Sequence, residues 1–581
     1  MTMILAKKHI KLGKLTIAVL ALLLVGGQAW GANCGGVTAC ACGDTVTSSY
    51  TLAGNLSCTN AGVALTVGAN DVTLNLGGFI VDGDDTNTTV GVLVNNYTGI
   101  TITNGTITDF TESGVSVEGS STGTVSNIAS NSHGNQGFQN LGTASWQYSN
   151  IIGNSNVDDG FSMHDDSVAV ISTGSFTGNA QGINIIANSF LTANNITIVN
   201  STANDLMLNS GTGGVKAIIT GLYISSSPSL NSVQVDANSD SLTITNGSIN
   251  NTLSGSNFSA LLKAGNLLIS GVLFSGSGGL GDVNFQSSGT QEIYGCTFSK
   301  TSSTPISVTA GTLSIRRNIF TGAYTNHNID IPSGVTGNVS YNVFNSSIGS
   351  GKYAAVVRTG GAINLFNNVI YDGGGSKDGG GIYAQGTVVA KNNIFMGLST
   401  GINLVAGTPT VDYNCFYDVT TKFIGAVTST HEITSDPLFI TNGSNFGLQS
   451  TSPVNGAGGI ITGLHDQASP AKDYAGVDVT WGPSIGAYHP TGTAPTWASL
   501  NGAKLLRASQ AVTISGDHSA ETIDLSNAAN TGALTVTCAE CEIGKIIGNS
   551  AVTIKGTPGS KLKGPVEFGN DVKLSNLEIV H

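Results

Sequence analysis

Charged side chains are scarce in this chain: they make up 10% of its 581 residues, where globular proteins carry roughly 25%. Cations are scarcer still. Between Asn33 and Leu262 the one Lys or Arg is Lys216, and the whole chain has a formal net charge of −13. Such a surface repels nucleic acid and offers no electrostatic hold on anionic membranes, so neither is expected as a partner. Beyond the N-terminus no apolar run reaches the ~20 residues that span a bilayer, which argues against membrane insertion. The 3.6-residue periodicity of amphipathic helices is missing too. Disorder is excluded by what is present. Glycine is abundant at 79 residues, but 40% of the chain is apolar and recurs at regular intervals, which a disordered chain does not sustain.

The N-terminus reads as a secretory leader over 1–31. Lys7, Lys8, Lys11 and Lys14 precede an apolar run from Leu15 to Val25, and small residues follow, with cleavage expected after Ala29 or Gly31. That run suits a signal peptide and is too short for a membrane span. A secreted or cell-surface location fits the eight cysteines. Four of them (Cys34, Cys40, Cys42, Cys58) crowd a cap expected over 32–70, with three possible pairings. Cys538 and Cys541 read as a local disulfide.

The main signal is repetition. Gly91, Gly114, Gly137, Gly160 and Gly182 recur at steps of 23, 23, 23 and 22, each followed by an apolar residue. Further on, Phe274, Phe298, Phe320, Phe344, Ile370, Phe395 and Phe416 form a second column, preceded by "RRNIF", "SYNVF", "FNNVI", "KNNIF" and "DYNCF". Between the columns lie short alternating runs that read as strands, such as Val72–Leu76 and Ile100–Thr103. A step near 23 residues without a leucine-rich consensus, and half of a propeller blade's period, points to a right-handed single-stranded parallel β-helix. About 14 coils are expected, stacked at ~4.8 Å into a rod of roughly 65 Å. The solenoid is placed at 71–428, its last coils or cap at 429–490, and a β-rich tail at 491–581. There "FGNDVKLSNLEIVH" echoes "GANDVTLNLGGFIV" near the start, as a second solenoid would. Phe and Ile in register stack inside the rod, and Asn in register bonds its own copy in the next coil. Cys296 and Cys415 stand five coils apart, ~24 Å, beyond the roughly 7 Å a disulfide spans, so both are read as buried free thiols.

Residues 60–425 resemble the pectate-lyase-like superfamily of right-handed parallel β-helices. The stretches "VGANDVTLNLGGFIVDGDD" and "GITITNGTITDF" are similar to the opening coils of its secreted carbohydrate-binding and sugar-hydrolysing members. "DPLF", "FGLQSTSPVNGAG" and "IGAY" resemble the end of many secreted bacterial β-helices. The resemblance implies the fold; for reaction it implies little, because that superfamily holds lyases, hydrolases, epimerases and non-enzymes.

The sharpest polar cluster is "NSNVDDGFSMHDDS", Asn154 to Ser167. Aligning coils on Gly137 and Gly160 sets Gln136 beside Asp159 and His133 beside Asn156, so one outer groove is expected to gather two histidines and several carboxylates. Three readings stand. In a catalytic one, His164 is a general base tuned by Asp159 or Asp165. In a Ca²⁺ one, Asp158, Asp159, Asp165 and Asp166 supply hard oxygen ligands. In a structural one, Asp and Asn satisfy turns. "GFSMHDDS" is similar to the Gly-x-Asp-Pro-His-Asp-Arg-Ser stretch of mannuronan C5-epimerases: Gly160, His164, Asp165 and Ser167 match, while Ser162, Met163 and Asp166 depart from it. The resemblance implies uronate chemistry, which needs a cation at the sugar carboxylate, and Asp166 replaces the motif's Arg. The acidic "DGDD" from Asp82 to Asp85 is a further candidate calcium loop.

A second stripe runs along Arg316, Arg317, Tyr341, Asn367, Lys391, Asn392 and Tyr413. Its cations and aromatics suit a sugar chain, and a solvated face of ordinary ladders explains the same residues. The expected function is binding, with modification of the lyase, epimerase or hydrolase type as an option, of extracellular polysaccharide along a lateral groove. The competing expectation is a non-enzymatic adhesion or structural rod.

Overall fold

The computed structural model describes residues 31–488, apart from short internal stretches, together with the backbone of eight strands between Lys504 and Ile579. The leader expected over 1–31 therefore lies outside the described residues, except for Gly31. The described chain is all-β, and its coils stack in parallel as a solenoid of about 15 turns.

One side of the rod is an 18-stranded parallel sheet. Its register repeats the spacing read from sequence: Val92 lies beside Val115, Val115 beside Phe138, Phe138 beside Phe161 and Phe161 beside Ile183. The preceding glycines are needed for space. None of Gly91, Gly114, Gly137, Gly160 or Gly182 has positive φ. A Cβ on Gly160 would lie 2.7 Å from Phe176 and 2.8 Å from the Gly182 carbonyl oxygen.

The remaining strands form two further faces joined at a sharp corner. There Asn104, Asn127, Asn150, Asn195, Asn246, Arg317, Tyr341, Asn367, Asn392 and Tyr413 all adopt left-handed φ between 50° and 62°. Among residues other than Gly, Asn is one of the few that favour that region, and its amide donates to the copy in the preceding coil: Asn127 to Asn104 and Asn150 to Asn127, both at 3.1 Å.

Inside, Phe274, Phe298, Phe320 and Phe344 stack with centroids 4.6–5.0 Å apart and planes within 6°. Alongside runs an asparagine ladder. Asn318, Asn342, Asn368 and Asn393 each pass an amide hydrogen to the next copy's oxygen at 2.9–3.0 Å, and the series ends at Asn414. Cys296 heads the ladder, donating its backbone N–H to Asn318 at 2.9 Å. Cys296 and Cys415 are both free and buried. At the N-terminus the pairings are Cys34–Cys40 and Cys42–Cys58.

The described residues between Phe439 and Tyr488 form a strap along the rod's flank. A small antiparallel hairpin, Phe439–Thr441 with Asn445–Leu448, and Val454, Ile485 and Ala487 pack on the outward side chains of Val343, Val369, Ile394 and Cys415. Side chains of Asn345, Asn367 and Asn392 donate to strap carbonyls at 2.7–2.8 Å. The eight tail strands make a sheet of their own, with Ala511 beside Thr535 and Val552 beside Val572 in parallel. Cys538 and Cys541 lie on its Leu534–Gly548 strand, and their side chains lie outside the described residues.

Candidate functional site

The Asn154–Ser167 cluster is built on the strand Asp159–Met163 of the 18-stranded sheet. Phe161 and Met163 face the core, so Ser162 and the side chains in register with it face out. Asp159 pairs with Gln181 and Ser162 with Asn184. Ser113, Ser116, Gln136, Gln139 and Asn184 complete a polar lattice in which neighbours bond across coils. Ser113 reaches the oxygens of Gln136 and Gln139 at 3.2 and 3.3 Å, Gln136 donates to Asp158 at 3.4 Å, and Asn184 donates to Asp159 at 3.2 Å. His164 Nε2 lies 3.0 Å from Ser162 Oγ.

This arrangement corrects the expected groove in three respects. His133 does lie against Asn156, its N–H donating to that oxygen at 3.0 Å, but inside the rod. Its ring accepts from the Phe110 N–H at 3.2 Å and meets Ser130 Oγ at 3.0 Å, and burial pushes its pKa down to about 3. It is a neutral core histidine, unable to meet a ligand. Asp159 is only 1% exposed; desolvation, then the neighbouring Asp158, pushes its carboxyl up to about 7. Gln136 is likewise buried.

The four carboxylates expected to share a metal do not converge. Asp158 and Asp159 sit at the start of the strand, whereas Asp165 and Asp166 lie in the turn beyond its far end, with the strand's own length of roughly 13 Å between, at ~3.3 Å per residue. Asp165 has left-handed φ and accepts the Gly142 N–H at 3.2 Å, a turn role. Among the described residues no group of three or more His, Cys, Asp or Glu is placed to hold a metal. In the "DGDD" loop, Asp84 is spent on the N–H groups of Thr86, Asn87 and Thr88.

The second stripe divides. Arg317, Tyr341 and Tyr413 are corner residues. Tyr341 is 3% exposed, which corrects its reading as a sugar platform, and Tyr413 stacks on His431 with centroids 4.2 Å apart. Arg316 is held by Glu292 at 2.5 Å and lies over the Tyr294 ring. Lys391 is half-buried at the end of its strand.

Beside Arg316 and Lys391 lies a groove that the stripe only bordered. It has a volume of about 290 Å³ and crosses four coils, lined by Thr312, Thr336, Asn338, Asn364 and Thr387 with Gly337, Ala362 and Ile363. These residues are in register: Thr312 beside Thr336, Thr336 beside Ala362, Ala362 beside Thr387. The Asn364 amide donates to Asn338 at 2.8 Å. Phe366 and Lys391 follow on the neighbouring outward column. The signal in sequence was the alternation of "TLSIR", "TGNVS", "AINLF" and "TVVAK", whose first, third and fifth residues face out. No carboxylate lines this groove. No protein-family model matches the chain, and no curated protein matches it.

Proposed function

We propose that this is a secreted protein that binds an extracellular polysaccharide along the flank of the rod, in the groove between Thr312 and Thr387. The observation that carries this reading is an open channel floored by hydroxyls and amides repeating coil by coil. A repeating polymer meets a repeating set of donors and acceptors there, over roughly 15 Å at ~4.8 Å per coil. Phe366, half-buried beside the channel, offers an apolar face against which a sugar ring stacks. The two disulfides of the cap support an oxidising, extracellular setting, and the resemblance to the pectate-lyase-like superfamily agrees with a carbohydrate ligand.

Binding without turnover is the better form of the proposal. Glycoside hydrolysis uses two carboxyl groups flanking the scissile bond, and the groove lining supplies none. The test is a panel of soluble and insoluble glycans read for retention and for product. Thr336→Val with Asn364→Leu should weaken retention of the responsive glycan roughly tenfold, about 1.4 kcal/mol, at unchanged thermal midpoint. Retention equal to wild type in that double variant, or no retention of any glycan by wild type, overturns the assignment.

A further inference from the structure

The groove between Thr312 and Thr387 is the downstream part of a longer face. Ten consecutive coils turn the first and third residues of a strand outward there, from Val168 and Val170 to Thr387 and Val389. Each of these residues lies in register with its copy in the next coil. The residues between them enter the core, as Ala169, Leu191, Ala217 and Ile363 do. At ~4.8 Å per coil the face runs roughly 43 Å, with about 7 Å between its two columns. None of its twenty side chains, two from each of ten coils, is buried. Seven are apolar and eleven carry a hydroxyl or an amide. Most of the apolar ones gather upstream of the groove, at Val168, Val170, Phe190, Ile218 and Leu268, and Val170 is 40% exposed.

These two columns carry no uncommitted charge. Lys216 and Glu292 are their two ionised groups: Lys216 lies over the Phe190 ring at 4.8 Å, and Glu292 is paired with Arg316. A protein surface is ordinarily ~25–35% charged, and this chain has a net charge of −13, none of which falls here. A face that balances to zero does not hold an ionic partner, and a second copy of the chain would bring the same −13 against it. What the face offers is aliphatic and aromatic surface beside neutral donors and acceptors. A neutral sugar ring has the matching make-up, apolar C–H faces bordered by hydroxyls. Length decides the form of the polymer. A dissolved glycan must give up its flexibility to lie straight over ten coils, whereas a chain packed in a solid is straight already, and a preorganised partner avoids that entropy cost.

Resting on the polysaccharide reading of the groove, we propose that the ligand is the surface of an insoluble, neutral polysaccharide, and that Val168, Val170, Phe190, Ile218 and Leu268 form the second half of its binding site. The hydroxyls and amides of the groove bond the polymer's hydroxyls, and the upstream residues cover its apolar ring faces. The two halves are joined without a break, because Leu268 stands in register with Glu292, Glu292 with Ser314 and Ser314 with Asn338 in the groove. The groove itself, a concavity of about 290 Å³, is the independent observation that this face takes a ligand.

The experiment is co-sedimentation of the full chain with microcrystalline cellulose, insoluble chitin and a calcium-crosslinked polygalacturonate gel, set beside titration with the soluble cellulose and chitin hexamers. One of the two neutral solids should retain the chain, added salt should not release it, and the matching hexamer should bind at least roughly tenfold more weakly. Val170→Asp with Ile218→Asp should weaken retention on the solid roughly tenfold and leave hexamer binding within about twofold of wild type. Val170→Thr with Ile218→Thr serves if the acidic pair fails to fold, with a loss in the same direction. Full retention of both upstream variants, when Thr336→Val with Asn364→Leu does weaken retention, overturns this inference and leaves the groove reading standing. Retention unchanged in the groove variant overturns that reading and this inference with it. Retention on the acidic gel alone, release by salt, or no retention on any solid overturns the inference. So does a wild-type dimer in sedimentation velocity that Val170→Asp with Ile218→Asp dissociates, because the face is then covered by a second copy.

Discussion

Single residues in this rod divide by whether their copy in the next coil answers them. Asn368 accepts from the Asn342 N–H and Nδ2 at 3.0 Å and donates to Val339 and Asn393 at 2.9 Å. Asn368→Ala strands several buried partners, so a loss of about 2–4 kcal/mol is expected, read as a lower urea midpoint. Asn364→Ala, in the exposed pair with Asn338, should cost under about 0.5 kcal/mol. The core acids respond to pH. Asp205 is buried against Ser226 at 2.6 Å, and desolvation pushes its carboxyl up to about 6 from the ordinary 3.8. The folded chain then holds a proton that the unfolded chain has released, so this contribution is full below pH 3.8 and is lost as pH rises toward 6. Asp159 acts in the same direction up to about 7. His133 opposes them: folded, it stays neutral down to about 3, while the unfolded ring takes a proton below 6.5, so its stabilisation is lost as pH falls through that window. Asp205→Asn should flatten the decline between pH 4 and 6, measured as the urea midpoint against pH; an unchanged slope would show that the carboxyl is ionised in the core.

At the scale of elements, the strap explains a pattern that alternation alone does not. In "NIF", "NVF" and "NCF" two successive residues after the Asn are apolar, although a strand sends them to opposite faces. Phe320, Phe344 and Phe416 enter the core, while Val343, Val369, Ile394 and Cys415 point outward and are buried by the strap. Upstream, where no strap lies, the same outward column reads Thr106, Ala129, Ile152, Ser175, Thr197, Tyr223, Ser248 and Leu273, mostly small or polar, and its larger members Ile152, Tyr223 and Leu273 stay exposed. The coils were legible because each repeats its own spacing, and the Phe and Asn columns follow from that. The strap was not, because it makes its contacts once and has no period. The candidate site was legible as a set of positions but not as faces: spacing put His133 beside Asn156, and only the inward turn of that column decides that a histidine there is core. The strap also predicts thiol behaviour. Cys415 lies under it, with burial and then Asp436 pushing the thiol up to about 12. Phe446→Asp with Val454→Asp should lift the strap and raise the rate of Cys415 labelling by a thiol reagent, leaving Cys296 protected under the Asn ladder. Equal, slow labelling of both cysteines would mean the strap stays docked without its apolar anchors.

Across the whole molecule, each coil touches chiefly the coil above and the coil below, so damage should stay local. A globular core spreads an overpacked residue through every neighbour, whereas a stack confines it to about three coils. Gly160 is the place to test this. A side chain there meets Phe176 at 2.7 Å, the Asn179 amide at 2.8 Å and the Gly182 carbonyl at 2.8 Å, none of which yields without moving the next coil. Gly160→Val should therefore cost about 1–3 kcal/mol or more, while Gly54→Ala, with nothing within 4 Å of its added Cβ, should cost a small fraction of that. The distinguishing measurement is amide hydrogen exchange along the chain. Protection should fall in the strands Phe138–Asn140, Asp159–Met163 and Gln181–Ile186. It should persist in the strands around the Phe298, Phe320 and Phe344 stack, about six coils away. Uniform loss of protection from one end of the rod to the other would show that the stack unfolds as a single cooperative unit, and that interface strength between coils exceeds what one strained coil disrupts.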